Sequence, residues 1–133
     1  MSIATALKRS PVKILFAILV FMVLGFSNGF AQAIGWDGGG GDNLWTTATN
    51  WSGDAVPTAS NAVTIDAGVR VVLNNTGNCA SLTIGGSSSN DTLVVQTGNT
   101  LNVSGPVTVQ SDGFLELSGS VLLYLAEIGR AHV

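Results

Sequence analysis

Cysteine is nearly missing from this chain. Cys79 stands alone, which excludes an internal disulfide. Positive charge is scarce too. Between Ile34 and Ala126 the only base is Arg70. It faces Asp37, Asp42, Asp54, Asp66, Asp91, Asp112 and Glu116, one base against seven acids, for a net charge of −6. Phosphate neutralisation requires Lys and Arg, so nucleic acid is disfavoured as a partner. The longest uninterrupted apolar run is Ile14–Phe26 (ILFAILVFMVLGF). A membrane-spanning helix needs about 20 apolar positions, more than this run supplies, so a transmembrane anchor is disfavoured. Charged residues are 10% of the chain. That composition suggests disorder where aliphatic residues are also scarce. Here 46% of residues are hydrophobic, and Val, Ile and Leu recur in short runs that can form a core.

What is present begins with an address. Lys8, Arg9 and Lys13 lead into the apolar run, and SNGFAQA follows, with small residues at Ala31 and Ala33. This is the layout of a secretory signal peptide over residues 1–33, with cleavage expected after Ala33. At the other end, EIGRAHV resembles the translation of a common sequencing adapter. Residues 127–133 are therefore expected to be a non-native tail. His132, the only histidine, then leaves the argument, and the natural protein is expected to continue past Ala126. Between the two ends lie a Trp/Gly-rich segment (34–60) and a run of strand repeats (61–126).

From Ala62 onward the chain reads AVTID, VRVVL, SLTIG, TLVVQ, TLNVS, VTVQS, FLELS and VLLYL, separated by Gly, Asn and Asp. These are strand-length, β-branched or aliphatic segments, and none reaches helix length. Leu93–Gly105 repeats at Val107–Gly119 with an offset of fourteen, each fourteen dividing into two sevens of one strand plus one corner. Leu93, Val95, Leu101, Val103, Val107, Val109, Leu115, Leu117, Val121 and Leu123 are all odd-numbered, while Gln96, Asn102, Ser104, Thr108, Gln110, Glu116 and Ser118 are even. One face is dry and one is wet, and the corners keep the phase. A two-residue hairpin at Asp112-Gly113 would invert that phase and expose Leu115 and Leu117. Three-residue hairpins and a continuous coil both preserve it. Three sevens give about 21 residues per turn of such a coil, a period within the solenoid range. The expected fold is all-β, a right-handed parallel β-helix fragment, with an antiparallel β-meander or sandwich as the alternative.

All three tryptophans fall in one stretch, GWDGGGGDNLWTTATNW. Trp36, Trp45 and Trp51 are expected to close the apolar end of the first coil, with Gly38, Gly39, Gly40 and Gly41 as the bend that lets the chain double back. A rival role for Trp45 and Trp51 is contact with carbohydrate. The GGGGD run is also similar to glycine–aspartate calcium nonapeptides, but Asn43 stands where their acid belongs and no tandem copy follows, so no metal is expected.

Trp36, Gly38, Trp45, Asn50, Trp51 and Pro57, joined to NCASLTIGG and the LNVSG and LELSG ladder, resemble the N-terminal region of large bacterial surface β-helix proteins, the autotransporter-type adhesins and their relatives. That resemblance spans Trp36 to about Gly119. It implies a secreted or cell-surface protein that displays binding surface and carries no catalytic residues. The partners it implies are host or matrix carbohydrate or protein, met by a downstream region. The membrane is met only transiently, through the signal.

Catalytic readings fare poorly on residue type. Asp66, Asp112 and Glu116 are the acids nearest strands, and paired carboxylates serve glycoside cleavage. Turn and solvent positions account for them better. Arg70 alone cannot neutralise a uronate and also take a proton, as a polysaccharide lyase must. Cys79 lacks a His partner and reads as a small buried residue. No catalytic, cofactor-binding or metal-binding residue is assigned. Two functions remain. The first is the non-catalytic start of an adhesive or surface-structural solenoid. The second is the N-terminal part of a secreted carbohydrate-active β-helix enzyme whose catalytic residues lie elsewhere.

Overall fold

The computed structural model describes residues 30–87, 90–119 and 122–130, the last group as backbone only. Most of the expected signal segment 1–33 and the end of the expected tail, His132 included, lie outside these residues.

Nine strands form: β1 (Gln32–Gly35), β2 (Asn61–Ile65), β3 (Arg70–Leu73), β4 (Gly77–Cys79), β5 (Ser81–Ile84), β6 (Asp91–Val95), β7 (Thr100–Val109), β8 (Gly113–Leu117) and β9 (Leu122–Arg130). Among the described residues the only helical turn is a 3₁₀ turn at Ala48–Asn50. The class is all-β, as the short aliphatic runs require.

Every ladder between these strands is parallel. The antiparallel meander or sandwich is thereby corrected. Its hairpins would reverse direction at each turn, and only an isolated antiparallel bridge, Trp36 with Trp51, does so here. One sheet runs β1-β2-β5-β7-β4 with β9 also on β7, and the other runs β3-β6-β8.

The long strand β7 bends between two ladders. Its first half pairs with β4 and its second half with β5. The chain therefore visits three ladders in rotation: β2, β3, β4; then β5, β6 and the start of β7; then the end of β7, β8 and the start of β9. Parallel pairs need long crossovers, and here the crossovers are themselves strands.

Register sets the period. Arg70 lies opposite Thr92, Asp91 opposite Gly113 and Thr100 opposite Leu122, a spacing of 22 each. The fourteen-residue match is not the structural repeat. Leu93 pairs with Leu115 on β8, whereas Val107 sits on β7 opposite Leu82. Fourteen is a step of two strands out of three, so it superposes different ladders.

Inward side chains stack in columns. Val71 and Leu93 line up, as do Leu73 and Val95, Val63 with Leu82, and Ile65 with Ile84, all buried. The odd-numbered phase holds from Leu93 to Val107. Upstream it slips, because Cys79 is buried and so are the even-numbered Leu82 and Ile84. The corner at Ala80 shifts the inward position by one. In β7 an additional residue restores it: Cys79 pairs Val103, but Leu82, three positions on, pairs Val107, four positions on.

Gln96 and Glu116 are exposed and Asn102 is half-buried. Val94 departs from the alternation. It is outward by parity yet buried. Arg70 on β3 and Glu116 on β8 form an ion pair at 3.3 Å that crosses the outer face of β6. Their aliphatic stems can shelter Val94, the in-register neighbour of Glu116.

Candidate functional site

The structure builds its most elaborate side-chain arrangement where the tryptophans are. The Gly run solves two local problems. Gly38 and Gly41 have φ of +72°, a region that L side chains rarely adopt. Gly39 and Gly40 are crowded instead. A Cβ on Gly39 would lie 2.5 Å from the carbonyl oxygen of Thr49, and one on Gly40 would lie 2.6 Å from Cγ2 of Thr47 and 2.7 Å from Oδ1 of Asn50. The chain thus turns sharply and presses against the 3₁₀ turn at Ala48–Asn50.

Asn50 holds that contact. It is completely buried. Its side-chain NH₂ donates to Oδ1 of Asp42 at 2.7 Å and to the Leu44 carbonyl at 3.0 Å, while its Oδ1 accepts from the Gly40 N–H at 2.8 Å. Its backbone carbonyl accepts from the N–H groups of Asp37 and Gly38. Asp42 also accepts from the Thr47 hydroxyl at 2.6 Å and from the Leu44 N–H. The Thr47 hydroxyl, then the Leu44 N–H and the Asn50 amide, hold its carboxyl below the ordinary carboxylate value. Asp37 closes its own small turn by accepting from the Gly39 N–H.

Trp51 follows directly and lies between the other two indoles. Its ring meets Trp36 edge-on at 4.9 Å and Trp45 at 4.8 Å, and its Nε1 donates to the Trp45 carbonyl at 2.8 Å. All three are buried, with Trp45 1% and Trp51 0% exposed. The carbohydrate role for Trp45 and Trp51 is corrected on that ground, since neither offers a free face on which a sugar could stack. At about 25 cal/mol per Å², an indole burying roughly 150–250 Å² supplies roughly 4–6 kcal/mol of gross hydrophobic free energy. The segment joins the sheets through Leu44, which bridges Val72, and through Trp45 N–H to the Val72 carbonyl and Val72 N–H to the Asn43 carbonyl. Asn43, where a calcium nonapeptide would need an acid, is thus engaged through its backbone.

The strand-associated acids each have separate partners. Asp66 accepts from the backbone N–H and hydroxyl of Ser87 at 2.9 and 2.8 Å. Asp112 accepts weakly from the Gly86 N–H at 3.4 Å. Glu116 faces Arg70 on the outside. Among the described residues no group of three or more His, Cys, Asp or Glu is arranged to hold a metal ion. Cys79 is buried among aliphatic residues, and burial pushes its thiol up to about 12, far from a nucleophilic thiolate.

Residue-by-residue reading missed Asp91. It is fully buried at the head of β6. Its Oδ1 accepts from three successive N–H groups, Ala67 and Gly68 at 2.8 Å and Val69 at 3.3 Å. It therefore fixes the corner between β2 and β3, one rung below its own strand. Its Oδ2 is buried with no hydrogen-bond partner. Only the spacing between stacked corners could have revealed the role, because the residues that meet are far apart in the chain.

With this geometry described, comparison with known proteins adds one result. The profile of a family described as a domain of unknown function, DUF8693, matches residues 35–124, and the chain belongs to that family. The match covers the tryptophan segment and the strands through the first part of β9. No curated protein and no solved structure matches the chain.

Proposed function

We propose that this chain is the N-terminal segment of an exported bacterial surface protein, a right-handed parallel β-helix whose tryptophan segment closes its lower end and whose role is adhesive or surface-structural, without catalysis. The observation that carries this reading is the cyclic return of the chain to three parallel ladders, at the constant offset that sets Arg70 beside Thr92, Asp91 beside Gly113 and Thr100 beside Leu122. A coil that repeats in this way buries its interior only against a neighbouring coil, so its first coil needs a cover. Trp36, Trp45 and Trp51, tied down by Asn50, are suited to be that cover. Right-handedness follows the general preference of parallel crossovers. The leader Lys8–Ala33 supports export.

The enzyme alternative draws less support. Arg70 is engaged by Glu116, and the acids at the corners accept hydrogen bonds from local loop groups.

The test is expression of the full chain in a bacterial host. The reading expects an exported product with a new N-terminus at Ile34, increased attachment of cells to immobilised matrix carbohydrate or protein, and no cleavage of a polysaccharide panel. Cytoplasmic retention with residues 1–33 intact would remove the export half. Release of reducing or unsaturated sugars would favour the enzyme.

A further inference from the structure

The two ends of the inner columns differ. In the β3-β6-β8 sheet, Leu73, Val95 and Leu117 lie in register on the same side. Leu73 and Val95 are fully buried, but Leu117 is 48% exposed. In the adjacent column Val71 and Leu93 are fully buried and Leu115 is only partly so. The burial is thus lost at β8, the last strand of that sheet.

The backbone repeats the point. Asp91 N–H donates to the Asp112 carbonyl and Ser118 N–H to the Val95 carbonyl. In a parallel ladder the bonded residues alternate between one neighbour and the other. The even-numbered residues of β8 therefore face β6. The N–H and C=O groups of Leu115 and Leu117 point to the opposite edge, where no strand pairs among the described residues. The residues with free backbone groups are also those with incompletely covered side chains. Gly113–Leu117 (GFLEL) carries neither Lys nor Pro, the usual guards of an exposed edge, and Phe114 adds an exposed ring on the outer face.

We infer that the outer edge of β8 is a strand-addition site, which takes an extended peptide from another polypeptide, parallel to β8 and aliphatic at the alternate positions that meet Leu115 and Leu117. Continuity of the ladder argues for this occupant. Each earlier rung of the sheet is covered by the parallel strand one coil further on, with an aliphatic residue over each aliphatic residue. A sugar or a flat lipid surface would leave the backbone groups unpaired, whereas a strand satisfies both the groups and the column. Three residues follow Arg130, no more than the three (110–112) that form the shortest connection into this sheet, so they leave none to form the strand. The site rests on the β6–β8 pairing alone and survives if the chain is not a surface adhesin.

The test uses the full chain and a dye-labelled peptide copied from Asp112–Ser118, read by fluorescence anisotropy and by amide hydrogen exchange. A second peptide carries Pro at the position of Leu115. The expected result is saturable binding of the first peptide, at least about tenfold weaker binding of the second, and new exchange protection at the amides of Leu115 and Leu117. In the chain, Leu117→Lys, at a position that tolerates a polar head, should weaken binding at least about tenfold, with tryptophan emission unchanged. Absence of binding, equal binding of the proline peptide, or protection confined to other strands overturns the site. If the chain instead self-associates through this edge and Leu117→Lys returns it to monomer, the occupant is a second copy and the peptide assignment is wrong.

Discussion

Asn50→Asp alters one side-chain atom group and no volume, so it isolates hydrogen-bond polarity at the centre of the tryptophan segment. The native NH₂ donates to Asp42 Oδ1 and to the Leu44 carbonyl. An aspartate there donates neither bond and sets a second carboxylate against Asp42 inside a fully buried position. Two lost hydrogen bonds cost about 2 kcal/mol together. A buried carboxylate with one remaining donor, the Gly40 N–H, adds a few more. The expected loss is about 4 kcal/mol at neutral pH. Asn50→Ala leaves no charge and should lose about 2–3 kcal/mol. The order is the informative part: the isosteric change should be worse than the truncation.

Acid should narrow the difference. The lowered value at Asp42, caused first by the Thr47 hydroxyl, means that its contribution is present above the unfolded carboxylate value and is lost as pH falls through the lower folded one. In the Asn50→Asp variant, protonating either carboxyl restores a donor between them while the native chain is losing stability. Urea unfolding followed by tryptophan emission reads the effect where it occurs, since Trp45 and Trp51 flank Asn50. An Asn50→Asp protein within about 1 kcal/mol of the native one at neutral pH would refute the reasoning.

Three further outcomes follow from the geometry. Gly40→Ala drives a Cβ to 2.6 Å from Thr47 and should cost about 2–3 kcal/mol, against about 1 kcal/mol for Gly41→Ala, which meets only the left-handed backbone penalty, both read from urea midpoints. Asp91→Ala strands the N–H groups of Ala67, Gly68 and Val69 and should cost about 2–4 kcal/mol; Asp91→Asn keeps an acceptor for them and should cost less, a ranking that equal losses would contradict. Cys79 should resist a thiol reagent at pH 8 until the chain is unfolded. Because burial raises its folded value to about 12, its protonated form contributes stability that is present below the unfolded value of about 8.5 and is lost as pH rises toward 12, a slope that Cys79→Ala should flatten.

Short aliphatic runs with Gly, Asn and Asp between them were enough to establish an all-β chain, because alternation is a local property that each strand carries in its own residues. The same alternation placed Leu93, Val95, Leu101, Val103 and Val107 inside. Pairing is different, since it depends on which distant strand lies alongside. The fourteen-residue match in the sequence therefore gave way to the longer register that sets Leu93 beside Leu115. Gly77–Cys79, poor in strand-forming residues, became β4 because Leu101–Val103 lies beside it. The Trp/Gly stretch announced itself by composition, but only folding decided that its indoles face inward, where no sugar can reach them. Asp91 shows the limit most clearly. Nothing within its own stretch distinguishes it from a solvated acid, and its role exists only because a coil brings residues 67–69 to its carboxylate.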